Sequence, residues 1–370
     1  MSLLVDKRAT RADVNTDKWS DWKWQLRRRI QTLEDLKEWI TPTEQEIAGI
    51  EATKGLFRWQ ITPYYANLMD PKDPQCPVRR QVVPTLDEMT DDIDLDALDP
   101  LEELAHSPVK NIIHNYHDRI AFCVASECAV YCRYCLRKRM VGDSEYAMNK
   151  DELQQGIDYI AATPNIRDVL LTGGDPLILG DNNLEWILQR LRAIPHVELI
   201  RIGTRFPVLN PFRITDAFCE MIQRYHPIWV NTHYNHPKEL SPEAREACDK
   251  LTRTGAPLGN QTVLLKGIND HADTLRLLFN GLVRMRVRPY YLYQAQLIGG
   301  TRQFRTSIES GMDIMDELRG TTSGFAIPTY VLDTPYGKVP LTRSGYLERK
   351  DDTVYVKAYG GQTWGEYNPE

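Results

Sequence analysis

Between residues 110 and 330, short apolar segments alternate with amphipathic ones, and this alternation restricts the possible folds more than any other feature. A series of strand and helix units requires a parallel sheet with helical crossovers. We therefore predict an α/β fold in which six such units form a partial (β/α)6-type barrel. The predicted strands span residues 119–126, 167–174, 198–206, 227–235, 259–265 and 288–296. The predicted helices lie near residues 149–162, 183–193, 213–225, 241–254 and 271–286.

Polar and glycine-rich segments follow four of these predicted strands. Cysteines at 128–135 come after the first strand, and Thr-Gly-Gly-Asp-Pro at 172–176 ends the second. Thr204-Arg205 ends the third strand, and Asn-Thr-His at 231–233 ends the fourth. In parallel barrels the carboxyl ends of the strands form one rim, and the chemistry collects there. The sequence therefore predicts a functional site at this rim.

Three of the seven cysteines, Cys128, Cys132 and Cys135, form the pattern C-x₃-C-x₂-C. An odd cysteine count without an apolar leader segment argues against a secreted disulfide framework. Three closely spaced thiolates can bind three irons of a [4Fe–4S] cluster, whereas cluster electron carriers and structural zinc sites use four protein ligands. The pattern predicts a cluster whose fourth iron takes a ligand from outside the protein. A zinc site completed by a histidine such as His117 is the alternative.

The remaining chain divides around the predicted barrel. Residues 1–105 are rich in tryptophan and charge and are predicted as a helical N-terminal region. Its acidic run at 90–103 is predicted as a solvated linker. The barrel core is assigned to residues 106–330, and residues 331–370 form a C-terminal segment.

Charge and hydropathy exclude several kinds of partner. The 45 basic and 51 acidic residues give a net charge of −6, so the chain has no strong field to attract nucleic acid or an anionic membrane. No segment is apolar over the length that a membrane span or a secretory signal requires. We expect a cytoplasmic protein with no nucleic-acid partner and no membrane partner.

The cysteine pattern, with the aromatic Tyr134 before its third cysteine, resembles the radical S-adenosylmethionine (SAM) superfamily motif. Over roughly residues 55 to 368 the chain resembles the lysine 2,3-aminomutase family. The resemblance rests on the ordered segments CAVYCRYCLRKR, LLTGGDPL, RIGTRFPV, NTHYNHPKEL, PLGNQTVLLKGIND, VRPYYLYQ, FRT and GFAIPTYVLDTPYGKVPL. It implies a radical SAM barrel with a helical N-terminal region and a short C-terminal extension.

The resemblance also assigns cofactors. SAM would bind the open iron of the [4Fe–4S] cluster, and Lys338 would hold pyridoxal 5′-phosphate as a Schiff base. For the segment Thr172, Gly173, Gly174 and Asp175, contact with the methionine amino group and a simple capped turn are both open. The other implied cofactor contacts are Tyr116 and Arg119 on pyridoxal phosphate, Arg133 in the shared cofactor region, and His233 and Gln261 beside the adenosine.

For the substrate, the resemblance implies that Arg137 binds the α-carboxylate through two parallel hydrogen bonds. Lysine-specific members hold the side-chain ammonium with two aspartates, of which this chain keeps Asp333 and replaces the other with Gln296. Asn115 stands where the family has an arginine near the phosphate. His271 replaces a cysteine that bridges subunits, so zinc is not expected, although a homo-oligomer, dimer or tetramer, still is.

The implied activity is a 1,2-shift of the α-amino group of a free L-amino acid to C3, driven by a 5′-deoxyadenosyl radical. Arginine or lysine is the preferred substrate, because one carboxylate and one amide carbonyl suit a cationic side chain. A reductant such as flavodoxin or ferredoxin is expected as a partner. The alternatives are a glutamate 2,3-aminomutase, a protein-lysine aminomutase of the type that modifies elongation factor P, and a non-enzymatic iron–sulfur electron carrier.

Overall fold

The computed structural model describes residues 8–89, 99–138, 140–343, 345–357 and 361–367. Its central element is a nine-stranded sheet whose spatial order follows the sequence. The strands are β1 (Ile112–Ile113), β2 (Arg119–Ala125), β3 (Asp168–Gly173), β4 (Leu199–Gly203), β5 (Ile228–Thr232), β6 (Leu258–Leu264), β7 (Val287–Gln294), β8 (Thr329–Thr334) and β9 (Gly337–Pro340).

Strands β2 to β8 all pair in parallel, while β1 and β9 pair antiparallel at the two edges. Helices cross over between the parallel strands. They are α6 (Lys150–Ala161), α7 (Asp181–Arg192), α8 (Phe206–Leu209), α9 (Asp216–Gln223), α10 (Pro242–Arg253), α11 (Ala272–Arg284) and α12 (Ile308–Thr321). The predicted α/β fold, a curled partial barrel, is confirmed.

The apolar faces of the crossover helices anchor them to the sheet. In α7, Leu184, Ile187, Leu188 and Leu191 recur at helical spacing and are fully buried. Burying each such side chain contributes about 1.5–3 kcal/mol. This packing fixes the strand ends that form the rim. No helix in the described ranges is long and apolar enough to cross a membrane.

The six predicted strands correspond to β2 through β7. The largest differences are at their carboxyl ends, where β4 ends at Gly203 and β5 at Thr232. The six-unit prediction omitted β8 and β9, which are short and flanked by Pro328 and Pro335, residues that mask a strand pattern. Since β8 runs through residue 330, the proposed C-terminal segment starts inside the sheet.

The N-terminal region contains short helices: α1 (Trp22–Arg27), α2 (Leu33–Lys37), α3 (Glu44–Ala52), α4 (Pro63–Asn67) and α5 (Pro77–Arg80). The apolar periodicity from Trp22 to Leu36 spans two of them, because Ile30 forms a β-bridge with Ile61 and interrupts the helix. Part of the predicted acidic linker, 90–98, lies outside the described residues. A separate antiparallel sheet follows β9: β10 (Tyr346–Lys350), β11 (Thr353–Lys357) and β12 (Thr363–Tyr367).

Candidate functional site

The three cysteines of the C-x₃-C-x₂-C pattern lie in the loop after β2, at the predicted rim. The N-terminal region supports this loop: Gln60 Nε2 donates to the backbone oxygen of Cys128 at 2.7 Å. In the described parts of the chain, no three His, Cys, Asp or Glu side chains converge on a single ion. A cubane does not need such convergence, since each thiolate binds a different iron. The donor set therefore fits a cluster better than one metal ion.

The zinc alternative fails on geometry. His117 precedes β2 and the cysteines follow it, so they lie at opposite ends of a strand of seven residues. At about 3.3 Å per residue, that strand separates them by roughly 20 Å. The His117 imidazole is exposed and contacts Asn165 Nδ2 at 3.3 Å. It cannot complete a zinc site with Cys128, Cys132 and Cys135.

A buried arginine that the sequence analysis did not single out contacts the cysteine loop. Arg205 Nη1 donates to Cys132 Sγ at 2.7 Å. The opposite nitrogen, Nη2, donates to Gln81 Oε1 at 2.6 Å and to Glu239 Oε1 at 2.8 Å. The only sequence signal was its position at the end of a predicted strand. Arg205 supplies a fixed positive charge beside a predicted cluster ligand.

Burial dominates the electrostatics of the thiols. It raises the pKa of Cys128 well above the usual value, and the Asp175 carboxylate raises it further. For Cys135, burial and then the neighbouring Cys132 raise the pKa to about 11. Iron ligation requires thiolates, so cluster binding has to release these protons.

The Thr172–Asp175 segment ends β3 against the cysteine loop. Gly174 N donates to Ala125 O at 2.5 Å, and Asp175 N donates to Glu127 O at 2.8 Å. A Cβ on Gly174 would collide with the backbone of Glu127, and Gly173 has φ +109°, in the region that favours glycine. The glycine pair is required for this close approach.

The Asp175 carboxylate connects two strand ends. It accepts hydrogen bonds from Leu177 N at 3.0 Å, Thr204 Oγ1 at 2.7 Å and Arg205 N at 2.7 Å. Burial raises the pKa of Asp175 to about 6, against the opposing effect of these donors. The carboxylate thus caps the turn after β3, as in the alternative of a simple capped turn. It also holds the ends of β3 and β4 together at the rim.

His233, predicted beside the adenosine, lies next to the cysteine loop. Its Nε2 is 3.1 Å from Tyr134 Oη, and the two rings stack at 5.8 Å. Burial, followed by the Arg205 charge, holds the pKa of His233 well below its usual range, so the imidazole is neutral. Gln261 lies in β6, where it pairs with Tyr291 of β7.

Asn231 adds a donor that the sequence analysis placed only at a strand end. Its side chain is buried, and its Nδ2 has no partner among the described residues. In the sheet it lies between Gly203 and Gly259, and its Oδ1 would lie 2.8 Å from a Cβ placed on Gly259. An unsatisfied buried donor is costly, and an acceptor on a bound cofactor would satisfy it.

Two arginines predicted for cofactor and substrate are paired with glutamates. Arg133 is buried, donates to both Glu88 oxygens at 2.8 and 2.6 Å and donates to Arg58 O at 2.8 Å. All three of its nitrogens donate to Glu88 or Arg58, and in the described part of the chain no hydrogen bond links Arg133 to Lys338 or Tyr116. Arg137 donates to Glu103 and, through Nη1, to Thr172 Oγ1 at 3.3 Å.

A second group of predicted residues meets at the edges of the sheet. Lys338 Nζ lies 3.0 Å from Asp333 Oδ1, and Gln296 Nε2 donates to the backbone oxygen of Asp333 at 2.8 Å. The backbone N–H of Lys338 donates to Tyr116 Oη at 2.9 Å. The structure therefore brings together Lys338, the predicted cofactor contact Tyr116, and the predicted substrate residues Gln296 and Asp333.

Arg119 and Asn115 complete this group. The Arg119 guanidinium stacks over the Tyr116 ring at 3.8 Å. Asn115, predicted to replace an arginine near the phosphate, donates through Nδ2 to Pro335 O at 3.1 Å. Tyr293, not singled out before, places its ring 5.6 Å from Lys338 Nζ. One arginine, one lysine and an aromatic wall fit an anionic, planar cofactor.

Two family models match the chain. The model described as "Radical SAM superfamily" matches residues 123–278, and the model described as "Lysine-2,3-aminomutase" matches residues 315–370. The first match contains the cysteine loop and the second contains Lys338. The radical SAM superfamily uses a [4Fe–4S] cluster with S-adenosylmethionine, which the three cysteines fit.

Individual relatives match nearly the whole chain. L-lysine 2,3-aminomutase of Fusobacterium nucleatum is 46% identical over 97% of this chain and 84% of its own length. L-lysine 2,3-aminomutase of Clostridium subterminale is 45% identical over 94% and 84%, respectively. Glutamate 2,3-aminomutase of Clostridioides difficile is 44% identical over 93% and 82%. Aminomutases are isomerases, and at this identity and coverage the chain belongs to the lysine 2,3-aminomutase family of the radical SAM superfamily.

Proposed function

We propose that this radical SAM aminomutase depends on pyridoxal phosphate and moves the α-amino group of free L-arginine or L-lysine to C3. The observation that carries the proposal is the ion pair between Lys338 Nζ and Asp333 Oδ1 at 3.0 Å. It places a carboxylate that can bind a cation directly beside the lysine proposed to hold the cofactor. An enzyme that acts on a cationic amino acid needs both groups at one site.

The three cysteines would hold the cluster, Asn231, His233 and Gln261 would face S-adenosylmethionine, and Lys338, Tyr116 and Arg119 would hold pyridoxal phosphate. When bound, the cluster and S-adenosylmethionine supply a hydrogen-abstracting radical, and pyridoxal phosphate supplies a conjugated group that carries the migrating nitrogen.

Asp333 would exchange its Lys338 partner for the substrate side chain when the cofactor and the substrate bind. With pyridoxal phosphate held at Lys338, this lysine would no longer pair with Asp333, and the Asp333 carboxylate would be open to another cation. Gln296 donates its Nε2 to the Asp333 backbone, so its Oε1 remains as an acceptor. A guanidinium has enough donors for both oxygens, and an ammonium group also satisfies both. Arg137 would bind the α-carboxylate at the other end of the substrate.

Arg119 supports the anionic end of the cofactor. Its guanidinium stacks on Tyr116 and pairs with Asp118 Oδ1 at 3.1 Å, and both charged side chains are partly exposed. A planar guanidinium binds phosphate oxygens through paired hydrogen bonds. Asn115 contributes a neutral side chain where the family has a cation, so Arg119 would carry more of the phosphate charge alone.

The test is a substrate screen with the reconstituted, reduced enzyme under anaerobic conditions. The enzyme is incubated with S-adenosylmethionine and each common L-amino acid, and β-amino acid products are identified by mass spectrometry. We expect β-arginine or β-lysine, and no product in a Lys338→Ala variant that retains its cluster. Turnover of glutamate alone would contradict the cationic pocket.

Glutamate is the second candidate, because a glutamate 2,3-aminomutase is 44% identical over 93% of the chain. The loss of one aspartate lowers the repulsion of an acidic side chain, but Asp333 still opposes it. A protein-lysine substrate would give a mass shift on a partner protein and no free β-amino acid. A simple electron carrier would show no visible absorbance that depends on Lys338.

The proposal also covers the electron donor, the subunit number and the location of the enzyme. We expect a one-electron donor such as flavodoxin or ferredoxin, a homodimer or homotetramer, and a cytoplasmic location. We further propose the division into a helical region to residue 105, a radical SAM core to residue 330 and a C-terminal segment with Lys338. Limited proteolysis and light scattering of the holoenzyme test the boundaries and the subunit number.

A further inference from the structure

One edge of the Arg137 guanidinium is occupied by a glutamate of the chain itself. Glu103 accepts hydrogen bonds from Arg137 Nη2 at 2.6 Å and from Arg137 Nε at 3.2 Å. The two side chains are only 18% and 11% exposed. Two parallel, charge-assisted bonds in a desolvated place fix the plane of the guanidinium and not only its position.

Glu103 belongs to a turn that is built before any substrate arrives. The Asp99 carboxylate accepts from Glu103 N and from Leu104 N, both at 3.0 Å. Ser107 Oγ donates to the backbone oxygen of Glu103 at 2.6 Å. The preceding residue, Glu102, has φ +51°, an uncommon conformation that tight turns impose. The glutamate is thus presented by a rigid turn.

The opposite edge of Arg137 faces the rim. Its Nη1 donates to Thr172 Oγ1 at 3.3 Å, where β3 ends beside the glycine pair. A guanidinium has five N–H donors on two usable edges, and Glu103 and Thr172 engage the Nε/Nη2 edge and one donor of Nη1. The Nη1/Nη2 edge is therefore the one that a second carboxylate can bind.

Two roles for Glu103 are conceivable: it is displaced by the substrate carboxylate, or it stays and orients Arg137. Displacement would leave a buried carboxylate without its partner, which is strongly unfavourable. Retention leaves one negative charge on each edge of a cation. Burial and the rigid turn therefore favour retention.

We infer that Glu103 is a positioning residue that holds Arg137 so that its Nη1/Nη2 edge binds the α-carboxylate of the amino-acid substrate. The inference rests on the proposed function, specifically on the role of Arg137. It assigns Glu103, which the acidic run predicted to be solvated but the structure buries, to the recognition of a free amino acid.

The test compares L-arginine and L-lysine with their carboxamides, which lack the carboxylate. In Glu103→Gln, we expect KM for the amino acid to rise about tenfold, as expected for loss of a charge-assisted contact, with kcat within about threefold. The preference for the acid over the carboxamide should fall by a similar factor. Glu103→Asp should recover part of it. Glu102→Gln, which changes the exposed neighbour in the same turn, should leave both values unchanged.

Binding is also measured without turnover, from the visible absorbance of the pyridoxal phosphate holoenzyme titrated with each ligand, while iron content and melting temperature verify folding. An unchanged or lower KM in Glu103→Gln would overturn the inference, because a displaced glutamate predicts tighter binding when it is removed. Arg137→Lys distinguishes a failure of the proposed role of Arg137 from a failure of the inference about Glu103 alone. If Arg137→Lys leaves the preference for the acid over the carboxamide unchanged, Arg137 does not bind the α-carboxylate, and the inference about Glu103 fails as well. If Arg137→Lys lowers this preference but the Glu103 variants change neither KM nor the preference, the role of Arg137 is retained and only the inference about Glu103 fails.

Discussion

The backbone N–H of Lys338 donates a hydrogen bond to Oη of Tyr116 at 2.9 Å, although 222 residues separate them in the sequence. Tyr116 precedes β2 near one edge of the nine-stranded sheet, and Lys338 lies in β9 at the other edge. A second hydrogen bond joins the same two segments, from Asn115 Nδ2 to Pro335 O at 3.1 Å. The sheet therefore curls until its two edges meet, and the proposed cofactor lysine lies at this junction.

Tyr116→Phe should weaken the retention of pyridoxal phosphate without unfolding the protein. The ring remains for Arg119 to stack on, but the backbone N–H of Lys338 loses its acceptor. One such bond contributes about 1 kcal/mol, which is roughly a fivefold change in affinity. Equilibrium dialysis of the cofactor measures the change. Tyr336→Phe is the control, because Tyr336 is 97% exposed in the adjacent turn; equal losses in both variants would contradict a role for Tyr116 Oη.

Gly174→Ala should destabilise the rim and lower the iron content after reconstitution. The added methyl group would overlap the backbone of Glu127, and neither β2 nor β3 can move without disturbing the cysteine loop. Such overpacking costs about 1–3 kcal/mol. Denaturant unfolding and iron analysis measure the two effects.

Gly324→Ala is the matched control for this variant, because a Cβ at Gly324 meets nothing within 4 Å. It should change the free energy of unfolding by less than about 0.5 kcal/mol. A Gly174→Ala protein as stable as this control, with full iron content, would show that β3 can retreat from the loop.

The strands and the cysteine loop were predictable from the sequence because their signals are local. Apolar segments of strand length identify β2 to β7, and the spacing of Cys128, Cys132 and Cys135 is a property of one loop. Strand β8 was missed because its short pattern is bounded by prolines. The rim followed from topology alone, since parallel strands end on one side of a sheet.

The partners of the buried charges were not predictable. Arg205 depends on Gln81 and Glu239, which come from distant segments and meet only in the folded chain. Arg133 shows the converse. Its motif position suggested a cofactor contact, yet Glu88 engages it, because a buried guanidinium takes the nearest carboxylate that the fold supplies. Pairing of this kind is decided by tertiary packing, for which a single sequence has no periodic signal.

Arg205→Gln should lower the reduction potential of the cluster. A positive charge near Cys132 stabilises the more negative, reduced cluster. At an effective dielectric constant near 20, a unit charge about 5 Å away contributes about 3 kcal/mol, or on the order of 100 mV for one electron. Potentiometric titration followed by electron paramagnetic resonance measures the shift.

Arg213→Gln is the control for the charge effect. Arg213 is equally buried and pairs with Asp181 at 2.7 Å, without contact to a cysteine. Arg205→Gln should lose about 3–5 kcal/mol of stability, because it leaves the buried Glu239 carboxylate without its partner, and Arg213→Gln should lose less, because the Asp181 carboxylate is 39% exposed. Only Arg205→Gln should shift the potential; an equal shift in both would assign the effect to general loosening of the fold.

Gln296→Asp should move the substrate preference toward lysine. It restores a second carboxylate beside Asp333, and a compact ammonium group gains more from two negative charges than from one charge and an amide. The two carboxylates repel each other when no cation lies between them, so part of the gain is offset, and we expect kcat/KM for lysine to rise about tenfold. Gln223→Asp, which adds the same charge at the exposed end of α9, should have no effect. A rise in glutamate turnover instead would mean that Gln296 does not face the substrate side chain, because an added negative charge in contact with that side chain can only repel glutamate.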